Sequence, residues 1–255
     1  MKYLKILIAR IKLDILAQSR YRVSMITDIV VMTTLFSFFL ISNTGKSFQS
    51  QYGYNYKSLL FIGYIVWSMS INAISTLSNF INFEARNGTL QYSMNSVFPM
   101  EWILFVEFVS SQIINLVVIL ALIVVAKFGF SVVLNLSINM VIPIVLCLIG
   151  MFGIRLIIAG ISMVIKKVGS IILFIQLILL FITDTIPTNK NLLLVTKYIP
   201  LTITNEILRN IIINRNYSSQ FIILLLSTTL CLVFGIIVFR YFYKQSIKKN
   251  IGLLY

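Results

Sequence analysis

Five runs of near twenty or more apolar residues, at about 23–41, 58–81, 103–126, 138–165 and 220–241, decide what this chain can fold into. At about 1.5 Å of helix per residue, each is long enough to cross a hydrocarbon core of about 30 Å. A sixth run, 168–184, lies near the lower limit. Hydrocarbon offers no partner to an unpaired backbone N–H or C=O, and a helix satisfies its own. The absence of strand-like alternation in these runs points the same way. Composition agrees: 59% of the 255 residues are hydrophobic and only 11% charged, against about 25% charged in soluble domains. The expected fold is an all-α membrane protein. Six transmembrane helices occupy 23–241, residues 1–22 form an amphipathic interfacial helix, and 242–255 form a cytoplasmic tail.

A net charge of +14 would suggest nucleic acid as a partner for a soluble chain, but here the placement of the charges matters more. With six crossings and an inner N-terminus, thirteen Lys and Arg fall inside and seven outside, with Arg155 within a span. The inner excess lies mostly in Lys2, Lys5, Arg10, Lys12, Arg20 and Arg22, and in Arg240, Lys244, Lys248 and Lys249. By the positive-inside rule both termini are expected in the cytoplasm, in a multi-pass protein of the cell membrane. The lipid bilayer is the partner this implies, and nucleic acid is not.

Ahead of the first span, Leu4, Leu7, Ile8, Ile11 and Ile15 recur at three- and four-residue steps among basic residues, the pattern of a helix in the membrane interface. In the outer loop from Ser42 to Lys57, Gly45-Lys46-Ser47 copies the end of a phosphate-binding loop. The glycine required five positions earlier is Leu40, so no nucleotide site is read there. Gly150, Gly153 and Gly160 in the fourth run allow close helix approach, and Lys166-Lys167-Val168-Gly169 makes an inner turn. A second long connection, about 185–218, carries Pro187, Pro200 and helically spaced isoleucines. It predicts an outer amphipathic or re-entrant segment.

Catalytic chemistry finds little footing. The chain has no histidine, and its seven carboxylates are scattered over different elements, whereas metal-assisted or nucleophilic catalysis needs ligands or bases clustered. Cys147 and Cys231 lie inside apolar runs, as free cysteines commonly do. The expectation is a protein without enzymatic activity, metal or cofactor of its own. Charged residues within spans are costly, and therefore candidates for a translocation path or an ion pair. They are Asp28, Glu107 and Arg155. Arg155 has Glu107, Asp28 or an anionic part of a cargo as its candidate partner, and the sequence leaves the choice open.

The most unusual connection is Asn82 to Trp102, NFEARNGTLQYSMNSVFPMEW, far longer and more polar than the two to eight residues or so that join most helices. Leu90, Met94 and Val97 fall at i, i+4 and i+7 after the Asn87-Gly88 turn, a spacing that suits a helix lying in a groove of a partner. Glu84-Ala85-Arg86-Asn87-Gly88-Thr89-Leu90-Gln91, followed by Asn95 to Leu104, resembles the cytoplasmic loop after the second span in membrane subunits of type 2 ABC exporters. The resemblance extends over the chain, through the amphipathic N-terminal helix, the six spans and the proline-containing outer connection at Tyr198-Ile199-Pro200. Gln91 stands where that family commonly has an acidic residue, and Val97-Phe98-Pro99 replaces its tighter Ser-Pro turn.

The resemblance implies a coupling helix within about 84–98, running from about Thr89 to Ser96, with Glu84, Arg86, Gly88, Thr89, Leu90, Met94 and Val97 meeting a separate cytosolic ATPase subunit. That partner would carry ATP and magnesium. It also implies a homodimer, or a heterodimer with a related permease, exporting amphipathic cargo such as a hydrophobic peptide, bacteriocin, drug or lipid. The alternatives are a secondary transporter or channel, a membrane receptor or immunity protein without transport of its own, and export of a lipid-linked polysaccharide. Phe36, Phe38, Phe39, Tyr64 and Trp67 would be the aromatic lining for the last, against a packing role.

Overall fold

The computed structural model describes residues 2–20, 22–134, 137–164 and 169–248, and over these the protein is entirely helical. In chain order the helices are α1 (Lys2–Arg20), α2 (Arg22–Ile41), α3 (Lys46–Tyr52), α4 (Tyr56–Arg86), α5 (Leu90–Met94), α6 (Met100–Phe130), a 3-10 turn (Ile138–Met140), α7 (Val141–Val164), α8 (Gly169–Ile182), α9 (Lys190–Thr196), α10 (Pro200–Ile212) and α11 (Ser218–Lys248). The inner turn at Lys166, Lys167 and Val168, and the tail from Lys249, lie outside the described residues. The expected tail begins later than residue 242, because α11 continues unbroken to Lys248.

Among the described residues, four helices are long and apolar enough to cross a membrane: α2, α6, α7 with the turn before it, and α11. The second apolar run falls within α4, and the sixth contains α8. With 14 residues, α8 reaches only about 21 Å at the usual rise per residue. Its end is extended by the buried segment Thr183 to Ile186.

α4 is the spine around which the others pack. Its residues from Leu59 to Val66 are buried, apart from Gly63 mostly as large apolar side chains, and its polar side chains reach neighbouring backbones. Tyr64 Oη donates to the Met32 carbonyl of α2 at 2.8 Å, and Trp67 Nε1 to the Gln176 carbonyl of α8 at 3.3 Å. Phe36, Phe39, Tyr64 and Trp67 are buried in one aromatic cluster, while Phe38 is exposed. That arrangement is packing, with the tyrosine and indole polar atoms finding partners.

α7 and α11 are the most tightly joined pair. A Cβ on Gly153 would fall on the Cys231 carbonyl, and one on Gly235 would fall on the Gly153 carbonyl. Lipid tails are as apolar as leucine, so helices in a membrane associate through such close backbone approach rather than through a hydrophobic drive. At the same seam, a Cβ on Gly150 would meet Pro200 Cγ at 2.8 Å, which brings α10 against α7.

The connection over about 185–218 forms α9 and α10. Pro200 opens α10, where a missing N–H costs nothing and the fixed φ suits a helix. The helix is amphipathic, as its spacing predicts, yet nearly all its residues are buried: it is held among α4, α7 and α11 rather than resting on a surface. Asn205 Nδ2 donates to the Thr183 carbonyl at 2.9 Å, and Arg209 pairs with the Asp184 carboxylate and donates to the Asp184 carbonyl. The guanidinium lies over the Phe48 ring at 3.8 Å, and Gly63 of α4 leaves it room: a Cβ there would come within 3.3 Å of Arg209 Nη2.

Candidate functional site

The joint between α4 and α6 is built from its own hydrogen bonds. Gly88 reverses the chain at φ +69°, a left-handed conformation that favours glycine. Thr89 N–H then donates to the Glu84 carbonyl at 2.9 Å, and Ser93 Oγ to the Glu84 carboxylate at 2.5 Å. Glu84 therefore ties the end of α4 to α5. Past α5, Ser96 Oγ accepts from Phe98 N–H at 3.3 Å, and Pro99 caps the start of α6.

Two other elements grip the same joint. Tyr243 of α11 donates its hydroxyl to the Met94 carbonyl at 3.2 Å, and Arg240 Nε meets Glu101 at 2.7 Å. From the other side, Tyr3 of α1 packs edge-on against Phe98 and Trp102, at ring separations of 5.1 and 5.3 Å.

The sequence expectation for this helix needs correction. It runs from Leu90 to Met94 and not from Thr89 to Ser96, so Val97 lies beyond it and cannot share a face with Leu90 and Met94. Leu90 is 3% exposed, within the bundle's own core, and Met94 packs partly against it. Five residues complete little more than one turn, and the one apolar side available is used inside the chain. What faces outward is Tyr92, at 79% exposure, Val97, at 92%, and the exposed Arg86.

The three charged residues within spans are also separated. Glu107 of α6 pairs with Arg10 of α1 at 2.6 Å, and Arg10 also bonds Asp14 at 3.1 Å. Ser110 Oγ donates to Asp14 at 2.6 Å, so α1 turns its polar side to the bundle and leaves Leu4, Ile8, Leu13, Ile15 and Leu16 exposed. Arg155 meets neither Glu107 nor Asp28. It is fully buried over the Phe108 ring at 4.3 Å, and its guanidinium nitrogens have no hydrogen-bond acceptor among the described residues. Phe152 stacks on the same Phe108 at 5.2 Å, so the guanidinium lies against a ring that is itself held in place by another.

Asp28 belongs to a site that its own spacing does not reveal. With Ser68 and Asn72 of α4, Asn115 of α6 and Gln176 of α8, it lines a cleft of 270 Å³ between α2, α4, α6 and α8. Asn72 Nδ2 donates to Asn115 Oδ1 at 3.0 Å, and Gln176 Nε2 to the Ile71 carbonyl at 3.3 Å. Asn115 Nδ2 has no acceptor among the described residues, although the residue is only 4% exposed. The available signal was a scatter of polar residues through several apolar runs. Its meaning depends on helices far apart in sequence meeting at one level. A second cavity, of 590 Å³ between α4, α6 and α7, is almost wholly apolar, with Gln112 its one polar lining residue.

Comparison with protein families, curated proteins and solved structures gives no match for this chain.

Proposed function

We propose that this chain is the membrane subunit of an ATP-driven exporter of the kind its inner joint resembles, moving amphipathic cargo out of the cytoplasm. The observation that carries the reading is the construction of that joint. A short helix between two 31-residue helices is tied to α4 through Glu84 and to α11 through Tyr243, and the chain just after it is packed against α1. A surface segment fixed to this many elements of the bundle can transmit a displacement into all of them. A passive connection needs none of these ties.

In this reading α4 and α8 supply the fifth and sixth crossings, with α8 extended by the segment that α10 holds. Two copies, or this chain and a related permease, meet along α2 and α8, where about half of the large apolar side chains are exposed. The intramembrane cleft opens beside that face and forms part of the path. A separate cytosolic ATPase, holding ATP and magnesium, docks on Arg86, Tyr92 and Val97, the outward residues of the joint. Gly88 and Thr89 shape it, Glu84 braces it, and Leu90 and Met94 anchor it to the bundle.

The test is co-purification of the chain with a cytosolic ATPase from its native membranes, followed by Tyr92→Asp and Val97→Asp. Both side chains are exposed, so thermal stability should be unchanged while cargo-stimulated ATP hydrolysis falls by about ten-fold or more, the loss typical of a removed interface anchor. Unchanged hydrolysis in both variants would overturn the docking surface. The carboxylate in a polar intramembrane cleft favours a second reading, a proton- or ion-coupled carrier. Uptake driven by an ion gradient in vesicles lacking any ATPase would establish that instead.

A further inference from the structure

The cleft beside α2 constrains the cargo, an inference that rests on the proposed transport role. Among the described residues that line it, Asp28 alone is charged, and Asp28 makes no ion pair among the described residues. Its carboxylate is exposed at the cleft's edge, so it is open to whatever enters. Deeper in, the Asn115 amide is buried with its nitrogen unpaired, a donor held ready while its oxygen is occupied by Asn72. Met32, Ile71, Val118 and Leu122 provide the apolar wall.

An anionic cargo would face a carboxylate with no cation to offset it, since Arg155 is not among the lining residues and is enclosed against Phe108. A purely apolar cargo would displace water from Asp28 and leave the Asn115 donor unmet, both unfavourable in a low-dielectric setting. A molecule with a positive charge, a carbonyl acceptor and an apolar body satisfies all three surfaces. We propose that the cleft binds a cationic, carbonyl-bearing amphipath, of the kind a short basic peptide presents, with Asp28 facing the charge and Asn115 donating to a carbonyl oxygen.

The experiment uses the full chain in phosphatidylcholine nanodiscs without any ATPase, so that it stands apart from the docking test. The probes are N-acetyl-phenylalanyl-arginyl-β-naphthylamide and its glutamyl counterpart, compounds of similar size and opposite charge, followed by naphthyl fluorescence. The arginyl compound should bind saturably, and the glutamyl compound at least about ten-fold more weakly, as expected when a charge-assisted contact is lost. Asp28→Asn should remove about the same factor from the arginyl compound without shifting thermal unfolding, because this side chain is exposed and unpaired. Asp28→Glu should restore most of it. Equal binding of the two compounds, no saturable binding of either, or indifference to Asp28→Asn would overturn the proposal. Loss of ATPase docking with this binding intact would overturn the export reading and leave the cleft's preference standing.

Discussion

Gly235 of α11 lies against the backbone of Gly153 of α7: a Cβ on Gly235 would fall on the Gly153 carbonyl, and one on Gly153 would fall on the Cys231 carbonyl, about one turn before Gly235. Neither helix can shift to admit a methyl group without moving away from its partner, because the atoms met are main-chain atoms.

Gly153→Ala or Gly235→Ala should therefore cost stability by at least the 1–3 kcal/mol or so typical of overpacking. The natural control is Gly129 of α6, where an added Cβ meets only Val125 Cγ1 at 3.9 Å. Gly129→Ala should be neutral or stabilising by up to about 1 kcal/mol, from helix propensity. Thermal unfolding of the three variants in detergent gives the comparison, and equal midpoints for all three would refute the seam.

Arg209 of α10 and Asp184 are buried together, and removing one leaves the other without its partner. Arg209→Met or Asp184→Asn should each destabilise by about 3–5 kcal/mol, and the double variant by clearly less than the sum. Arg209→Lys should not rescue, because an ammonium cannot reach carboxylate and carbonyl together while lying flat on Phe48. A double-mutant cycle on equilibrium unfolding measures the coupling, and strict additivity would mean that the pair does not act as one.

Arg155 leads to the opposite expectation. A guanidinium buried against Phe108 with no acceptor among the described residues bears its desolvation without return, so Arg155→Met, which retains much of the volume, should raise stability by about 1–4 kcal/mol. A loss of more than about 2 kcal/mol would show instead that the guanidinium is paired in the membrane-embedded protein.

Tyr243→Phe deletes one hydroxyl, the one bonded to the Met94 carbonyl. The stability cost should be small, about 0.5–1.5 kcal/mol. If the inner joint works through α11, the ratio of cargo moved to ATP hydrolysed should fall in reconstituted vesicles while hydrolysis itself persists. An unchanged ratio would remove α11 from the coupling route.

The four apolar crossing helices were legible because each is a local pattern of composition and length. Close approach at Gly150, Gly153 and Gly160 was legible for the same reason, but its partner was not, since Gly235 lies on another helix 82 positions past Gly153. The facing of α5 could not be read, because a five-residue helix has no second turn to define a stripe. Asp28, Glu107 and Arg155 stood out as charges, yet the partners they received were decided by tertiary packing. Glu107 took Arg10 from α1, Asp28 joined a set of amides, and Arg155 was left to Phe108. Asn72 and Asn115 were each a minor blemish in an apolar run until the fold set them 3.0 Å apart.

One helix touches both ends of this molecule. On α11, Tyr243 bonds the inner joint at Met94, while Ser227 Oγ bonds the Tyr198 carbonyl just before α10, at 2.6 Å. The two attachments are separated by about 24 Å of uninterrupted helix, given the 1.5 Å or so of rise per residue. Packed on α7 along the glycine seam, α11 is half of a two-helix beam that runs as unbroken helix between its fittings, so tilting it at the α5 end would swing the α10 end by a comparable amount. The length of that beam, and not the chemistry of any single side chain, sets the distance over which a displacement at Met94 would be carried to Tyr198.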